Sequence, residues 1–186
     1  MKTEHRLAEA LKTMMSKLPL EEISVAALTR YCNVHRQTFY YHFNDIYDLL
    51  ALVFLNEKID GIDDVKNSTE MVTLIFDYYL ANQAFIDGTL ESAGKDLFEE
   101  FIYNICYKSF TRFINFISES KRLNVNDKKN IVRFRAFAYS NSIVYYLSTH
   151  KNKNLSGILA CFCFENDDNM RQEIVDLIDY RWRNKS

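Results

Sequence analysis

The stretch Ile23-Ser-Val-Ala-Ala-Leu-Thr-Arg-Tyr-Cys-Asn-Val-His-Arg-Gln-Thr-Phe-Tyr-Tyr-His-Phe43 reads as two short helical segments around a tight turn. Ser24 precedes a helix-forming run, where its hydroxyl can accept a hydrogen bond from a first-turn amide. Asn33 stands at the turn, and a short polar side chain tolerates the left-handed backbone that such a turn needs. Ala27, Leu28, Val34 and Phe39 fall where two crossed helices bury their joint, a small residue first and apolar ones on both sides. The second segment then presents His35, Arg36, Gln37, Thr38, Tyr40, Tyr41 and His42. Arg and Gln carry the bidentate geometry that matches guanine and adenine edges, and Thr38 and Tyr40 suit phosphate oxygens. The stretch therefore reads as a helix-turn-helix directed at double-stranded DNA.

Outward from this motif the apolar spacing is helical. Leu7, Leu11, Met14 and Leu18 mark a first helix over 3–17, stopped by Pro19. After a short helix that meets Asn33 and another over about 35–42, Asn44 or Asp45 can cap a fourth that runs through Leu49, Leu50, Val53 and Leu55 to about residue 60. A polar break at 61–68 follows, then helices over 69–81, 84–91, 96–118, from Asn126 or Asp127 to 149, and from Asp167 or Asp168 to 183. Residues 158–164 fit helix or strand, with helix favoured by context. Four glycines and one proline are too few to punctuate a sandwich, a barrel or a doubly wound sheet. The expected fold is all-α, with an N-terminal three-helix DNA-binding domain over 1–60 and a helical ligand-binding and dimerisation domain over 61–186.

Charge and composition bound the function. The net charge is −2, and residues 1–50 balance six basic against six acidic side chains. Affinity for DNA rests on phosphate neutralisation, so one copy is expected to bind weakly unless two half-sites and helix N-termini add to it. The longest apolar run, 158–164, is too short for a bilayer, and the polar start lacks a leader, so no membrane partner and a cytoplasmic location are expected. Cys32, Cys106, Cys161 and Cys163 read as small apolar residues, because no second pair at ligand spacing accompanies Cys161 and Cys163. There is no Gly-rich phosphate loop, metal spacing or Gly-X-Ser-X-Gly elbow. The expectation is no enzyme, no metal and no cofactor.

The segment Thr38-Phe-Tyr-Tyr-His-Phe43, followed by Asn44-Asp-Ile-Tyr-Asp-Leu-Leu50, resembles the signature of the tetracycline-repressor (TetR) family, and its wording is similar to a subgroup that includes the dihydroxyacetone kinase regulator. The likeness covers residues 1–60; beyond them only the helix pattern is similar. It implies a ligand-responsive regulator, a repressor, that binds a palindromic operator as a homodimer. Carried over by position, it implies DNA contacts at Ser24, Arg36, Gln37, Thr38, Tyr40, Tyr41 and His42. Two positions depart from the pattern: Asn33 replaces the usual glycine, and Ile46 replaces the usual lysine at the start of the fourth helix. Asn33 suits the turn as a glycine does, but Ile46 together with the neutral charge balance keeps open an alternative, a regulatory subunit with weakened DNA binding that acts through a protein partner.

The aromatic excess past Gly61 and the resemblance together imply a small-molecule effector cavity drawn from Phe76, Tyr79, Phe101, Tyr103, Ile105, Tyr107 and Phe113. The helix at 127–149 carries apolar or small side chains on two stripes, Ile131, Phe134, Ala138, Ser142, Tyr145 and Val132, Ala136, Tyr139, Ile143, Tyr146. A helix apolar all round must be covered all round. With the last helix it is expected to form a two-fold four-helix interface through Ala138, Ser142, Ile143, Tyr146, Ile174 and Ile178.

Overall fold

The computed structural model describes residues 3–162 and 167–183. Among these, every regular element is helical: α1 (Thr3–Met15), α2 (Val25–Tyr31), α3 (Arg36–His42), α4 (Ile46–Asn56), α5 (Ser68–Ala81), α6 (Gln83–Leu90), α7 (Lys95–Phe116), α8 (Val125–Thr149), α9 (Leu155–Ala160) and α10 (Asp167–Arg183). Two short 3₁₀ turns, Leu20–Glu22 and Ser118–Arg122, lie outside what periodicity predicts, because three to five residues are too few to show one. The ambiguous run at 158–164 is helical through Ala160; the part of it at 163–164 lies outside the described residues.

Side-chain caps set several of the helix starts. Ser24 Oγ accepts from the Ala27 amide at 3.1 Å, as expected. Asp45, of the two candidates before α4, accepts from the amides of Tyr47 and Asp48 at 2.8 and 3.0 Å. The cap of α8 is neither Asn126 nor Asp127 but Asn124, whose Oδ1 accepts from the Asp127 amide at 2.9 Å. The polar run before α8 offers several candidates, and the helix begins at the earliest.

The chain packs as two compact units, one holding residues up to 58 with 79–101, the other 59–78 with the residues from 102 onward. The first unit therefore takes in α6 and parts of α5 and α7 beyond the 1–60 segment. Its core is built on Leu7, Leu11, Leu28, Phe39, Leu49 and Leu50, none of them exposed. The Phe54 ring lies 5.5, 5.8 and 5.6 Å from the rings of Phe85, Phe98 and Phe101. These aromatic contacts hold α4. Lys12 of α1, whose ammonium lies 5.4 Å from the centre of the Phe85 ring, places Nζ 2.6 Å from Glu57 Oε1 at the end of α4.

In the second unit Tyr139 of α8 stacks on Phe162 at 4.3 Å and meets Phe110 of α7 edge-on at 4.8 Å. α10 buries Met170, Ile174 and Ile178 and is tied by ion pairs at three points. Arg171 bonds Glu119, Glu173 holds the buried Arg135 at 3.0 Å, and Arg181 meets the buried Asp127. The arginine beside Glu119 holds its carboxyl well below the usual range, at about 2. Cys106 is fully enclosed, and burial pushes its thiol far up, so it packs as a small apolar side chain.

Candidate nucleic-acid interface

The turn between α2 and α3 is closed as a hydrogen-bonded helix ending. Asn33 adopts φ 51°, the left-handed conformation expected of it. Its amide donates to the Arg30 carbonyl at 3.1 Å, and the Val34 amide donates to Thr29 at 2.9 Å, which satisfies the last carbonyls of α2. Arg6 of α1 donates through Nη2 to the Cys32 carbonyl at 2.6 Å, and the Cys32 thiol donates back to the Arg6 carbonyl at 3.7 Å. The end of α2 is thus held against α1. Leu28 and Phe39 are fully buried at the joint, while Ala27 and Val34 are half-buried.

Burying Phe39 orients the rest of α3. Arg36 and Tyr40 lie one turn apart, as do Gln37 and Tyr41; the second pair points away from Phe39, and the first flanks it, with the Tyr40 ring 5.5 Å from that of Phe39. All four are exposed, Tyr41 most of all at 84%. His35 precedes α3, is exposed, and does not use its ring as a cap. Thr38 is half-buried, and Ser24 is exposed with its hydroxyl engaged at the start of α2. His42 departs from the expectation of a free side chain. It is half-buried, with Nδ1 3.1 Å from Glu4 Oε1 of α1. The side-chain phase is legible in sequence; the Glu4 contact joins residues far apart in the chain and is not. Ile46 stands half-buried at the start of α4, where it offers no cation to a phosphate.

The residues expected around an effector divide by environment. Phe76, Tyr79, Phe101 and Phe113 are buried, whereas Tyr103, Ile105 and Tyr107 are half-buried. Tyr79 donates its hydroxyl to Asp87 at 3.0 Å, and the rings of Tyr103 and Tyr107 lie 6.0 Å apart. A cleft of about 280 Å³ lined by Glu9, Lys12 and Phe85, and a shallow apolar one of about 360 Å³ lined by Gly61, Val65 and Leu74, involve none of the seven.

The expected dimer stripe is redistributed. Ile143, Tyr146, Ile174 and Ile178 are buried within the chain's own unit, and the Tyr146 hydroxyl is occupied by the Asn154 backbone, donating to its carbonyl at 3.1 Å. Ala138 is exposed and Ser142 half-buried. The open face of α8 carries Phe134, Phe137 and Tyr145, 64–69% exposed, and α10 adds Tyr180 and Trp182. Both stripes of α8 are apolar, so sequence alone does not tell which of them the chain covers itself. No helix among the described residues is long and apolar enough to cross a membrane.

Comparison with known proteins bears on this arrangement. Residues 66–159 match a family model described as the C-terminal region of a transcriptional regulator. A solved structure named dihydroxyacetone kinase operon activator DhaS superposes with a TM-score of 0.58 at 22% identity, over 96% of this chain and 95% of that one. At that identity the likeness speaks for the fold. A search of curated proteins gives no match.

Proposed function

The chain belongs to the TetR family of transcriptional regulators, and from that premise we propose that it is a ligand-responsive repressor that binds a palindromic operator as a homodimer. The observation that carries the DNA reading is the open stripe of Arg36, Gln37, Tyr40 and Tyr41 on α3, held by the buried Phe39. Arg36 and Gln37 supply base contacts, and Tyr40 with Thr38, Ser24 and His35 supplies phosphate contacts. His42 is assigned to the edge of the same surface, with Glu4 behind it. Residues 1–60 serve DNA, and 61–186 serve the effector and the second copy. A small molecule among Phe76, Tyr79, Phe101, Tyr103, Ile105, Tyr107 and Phe113 shifts the spacing of the paired recognition helices, provided it prefers one spacing over the other. The second copy is seated on the open face of α8 and α10, through Phe134, Phe137, Ala138 and Trp182.

The test is selection of duplexes from a random pool by the intact protein, followed by titration of the enriched duplex. A palindromic duplex bound far more tightly than a scrambled one supports the reading; absence of any enriched sequence overturns it. The zero charge balance of residues 1–50 favours a second reading, weak DNA binding by a subunit that acts through a protein partner. It predicts no enrichment by the protein alone and enrichment once that partner is added.

A further inference from the structure

The covered stripe of α10 repeats itself. Met170, Ile174 and Ile178 are buried at intervals of four residues. Side chains so alike and so evenly spaced can be seated one turn off, about 5.4 Å along the axis, with little loss of apolar contact. Ile174 then takes the place of Met170, and Ile178 that of Ile174. Apolar burial therefore docks α10 without choosing its register. Charge supplies the choice. Arg135 of α8 donates from Nε and Nη2 to Glu173 Oε2 at 3.3 and 3.0 Å, and Arg181 donates through Nη2 to Asp127 Oδ1. Asp127 and Arg135 stand eight residues apart on α8, and Glu173 and Arg181 eight apart on α10, with the acid first on both. Helices with that order bring opposite signs together at both points when they run antiparallel; run parallel, acid meets acid and base meets base.

The two charges on α8 are buried, whereas the side chains of Glu173 and Arg181 are 41% and 47% exposed. α8 thus carries the enclosed charges and α10 brings the counter-charges. Asp127 Oδ2 is buried with no hydrogen-bond partner among the described residues, so this carboxylate leans on Arg181. A slide of α10 by one turn in one direction sets Leu177 against Asp127 and Asn169 against Arg135; a slide in the other sets Leu177 against Arg135. Each removes a charge-assisted hydrogen bond from an enclosed charge and offers an apolar side chain instead. The pair Arg171–Glu119 is more exposed and ties α10 to the 3₁₀ turn before α8, so it weighs less on this choice. Register matters because Tyr180 and Trp182 flank Arg181 and Phe134 adjoins Arg135, all three rings exposed. We propose that Asp127–Arg181 and Arg135–Glu173 form a charge clamp that fixes α10 in one register on α8, and so sets the level of Tyr180 and Trp182 relative to Phe134 and Phe137. Asp127, Arg135, Glu173 and Arg181 are then positioning residues for the aromatic face. The consequence for pairing of two copies rests on the homodimer reading above; the register does not.

Nuclear magnetic resonance of the isotopically labelled full chain tests this by the number of amide signals from Ile174 and Ile178 and of indole signals from Trp182, the one tryptophan of the chain. The unmodified protein is expected to give one set. The variant with Asp127→Asn, Arg135→Gln, Glu173→Gln and Arg181→Gln keeps the apolar stripe and removes the clamp. It is expected to give two or more sets, or signals broadened by exchange between them, and a dimer dissociation constant raised about tenfold or more. A single sharp set in this neutral variant overturns the clamp, whatever the dimer constant. If the neutral variant does not fold, Arg135→Glu supplies the test: several sets alone, and one set once Glu173→Arg is added, support the clamp, and the same signals with and without Glu173→Arg overturn it. An unmodified chain that sediments as a monomer overturns the homodimer reading instead, and the number of signals then decides on the clamp alone.

Discussion

Gln37 and Tyr40 sit on the same open stripe but are assigned different tasks, and substitution separates them. Gln37→Ala should change base preference at one position of each half-site, with a loss of about 1–3 kcal/mol for a bidentate contact. Tyr40→Phe should weaken all duplexes by about the same factor, because a phosphate contact carries no sequence information. Competition titrations with single-base variants of the selected duplex check both; equal effects of the two substitutions on every duplex would remove Gln37 from base readout. At this scale the sequence is most legible where the physics is local. Ser24, Asn33 and Asp45 each act on amides or carbonyls a few residues away, and each does what its chemistry indicates. The pairs Glu4–His42 and Arg6–Cys32 join positions 38 and 26 residues apart, and nothing in either neighbourhood announces the other.

α8 and α10 show what an element's periodicity can and cannot say. Both read as helices in sequence and are helices, yet Ile143 is fully buried while Phe137 is 64% exposed, and both are apolar positions on the same helix. The choice between faces depends on where α7 and α10 pack, which is a tertiary fact. It yields a prediction. Phe137→Asp should leave the helical circular dichroism intact and raise the dimer dissociation constant, at roughly 2–4 kcal/mol for a central aromatic. Ile143→Asp should instead destabilise folding itself by more than about 3 kcal/mol, since it buries an unpaired charge. Thermal unfolding and sedimentation of the two variants separate these outcomes, and a Phe137→Asp protein that remains fully dimeric would move the interface elsewhere.

The docking of α10 also carries a pH dependence. Hydrogen bonds from Arg171 and then Ser118 lower the Glu119 carboxyl to about 2. A carboxylate whose folded value lies below its unfolded one stabilises the fold above the unfolded value, near 4.3, and loses that contribution as pH falls towards 2. The protection of α10 amides, taken relative to their intrinsic exchange at each pH, should therefore fall on acidification between about pH 4 and pH 2, and Glu119→Gln should reduce that dependence. An unchanged profile in the variant would remove Glu119 from the docking of α10.

For the whole molecule, turn-poor composition points to an all-α fold, and helices are what the described residues form. The compact units are less legible, because one of them joins residues up to 58 with 79–101 across a discontinuity in the chain. Hydropathy along the sequence shows a polar break at 61–68, but not that Arg112 and buried Ile59 and Val65 hold the connector there. On the proposed function, two copies of this regulator read one palindromic duplex through α3. Sedimentation velocity of the intact protein with the selected duplex tests it most directly. The expected complex contains two chains of 22.0 kDa per duplex, forms with the unmodified protein and is lost with Phe137→Asp. A single chain per duplex, or a complex indifferent to that substitution, would contradict it.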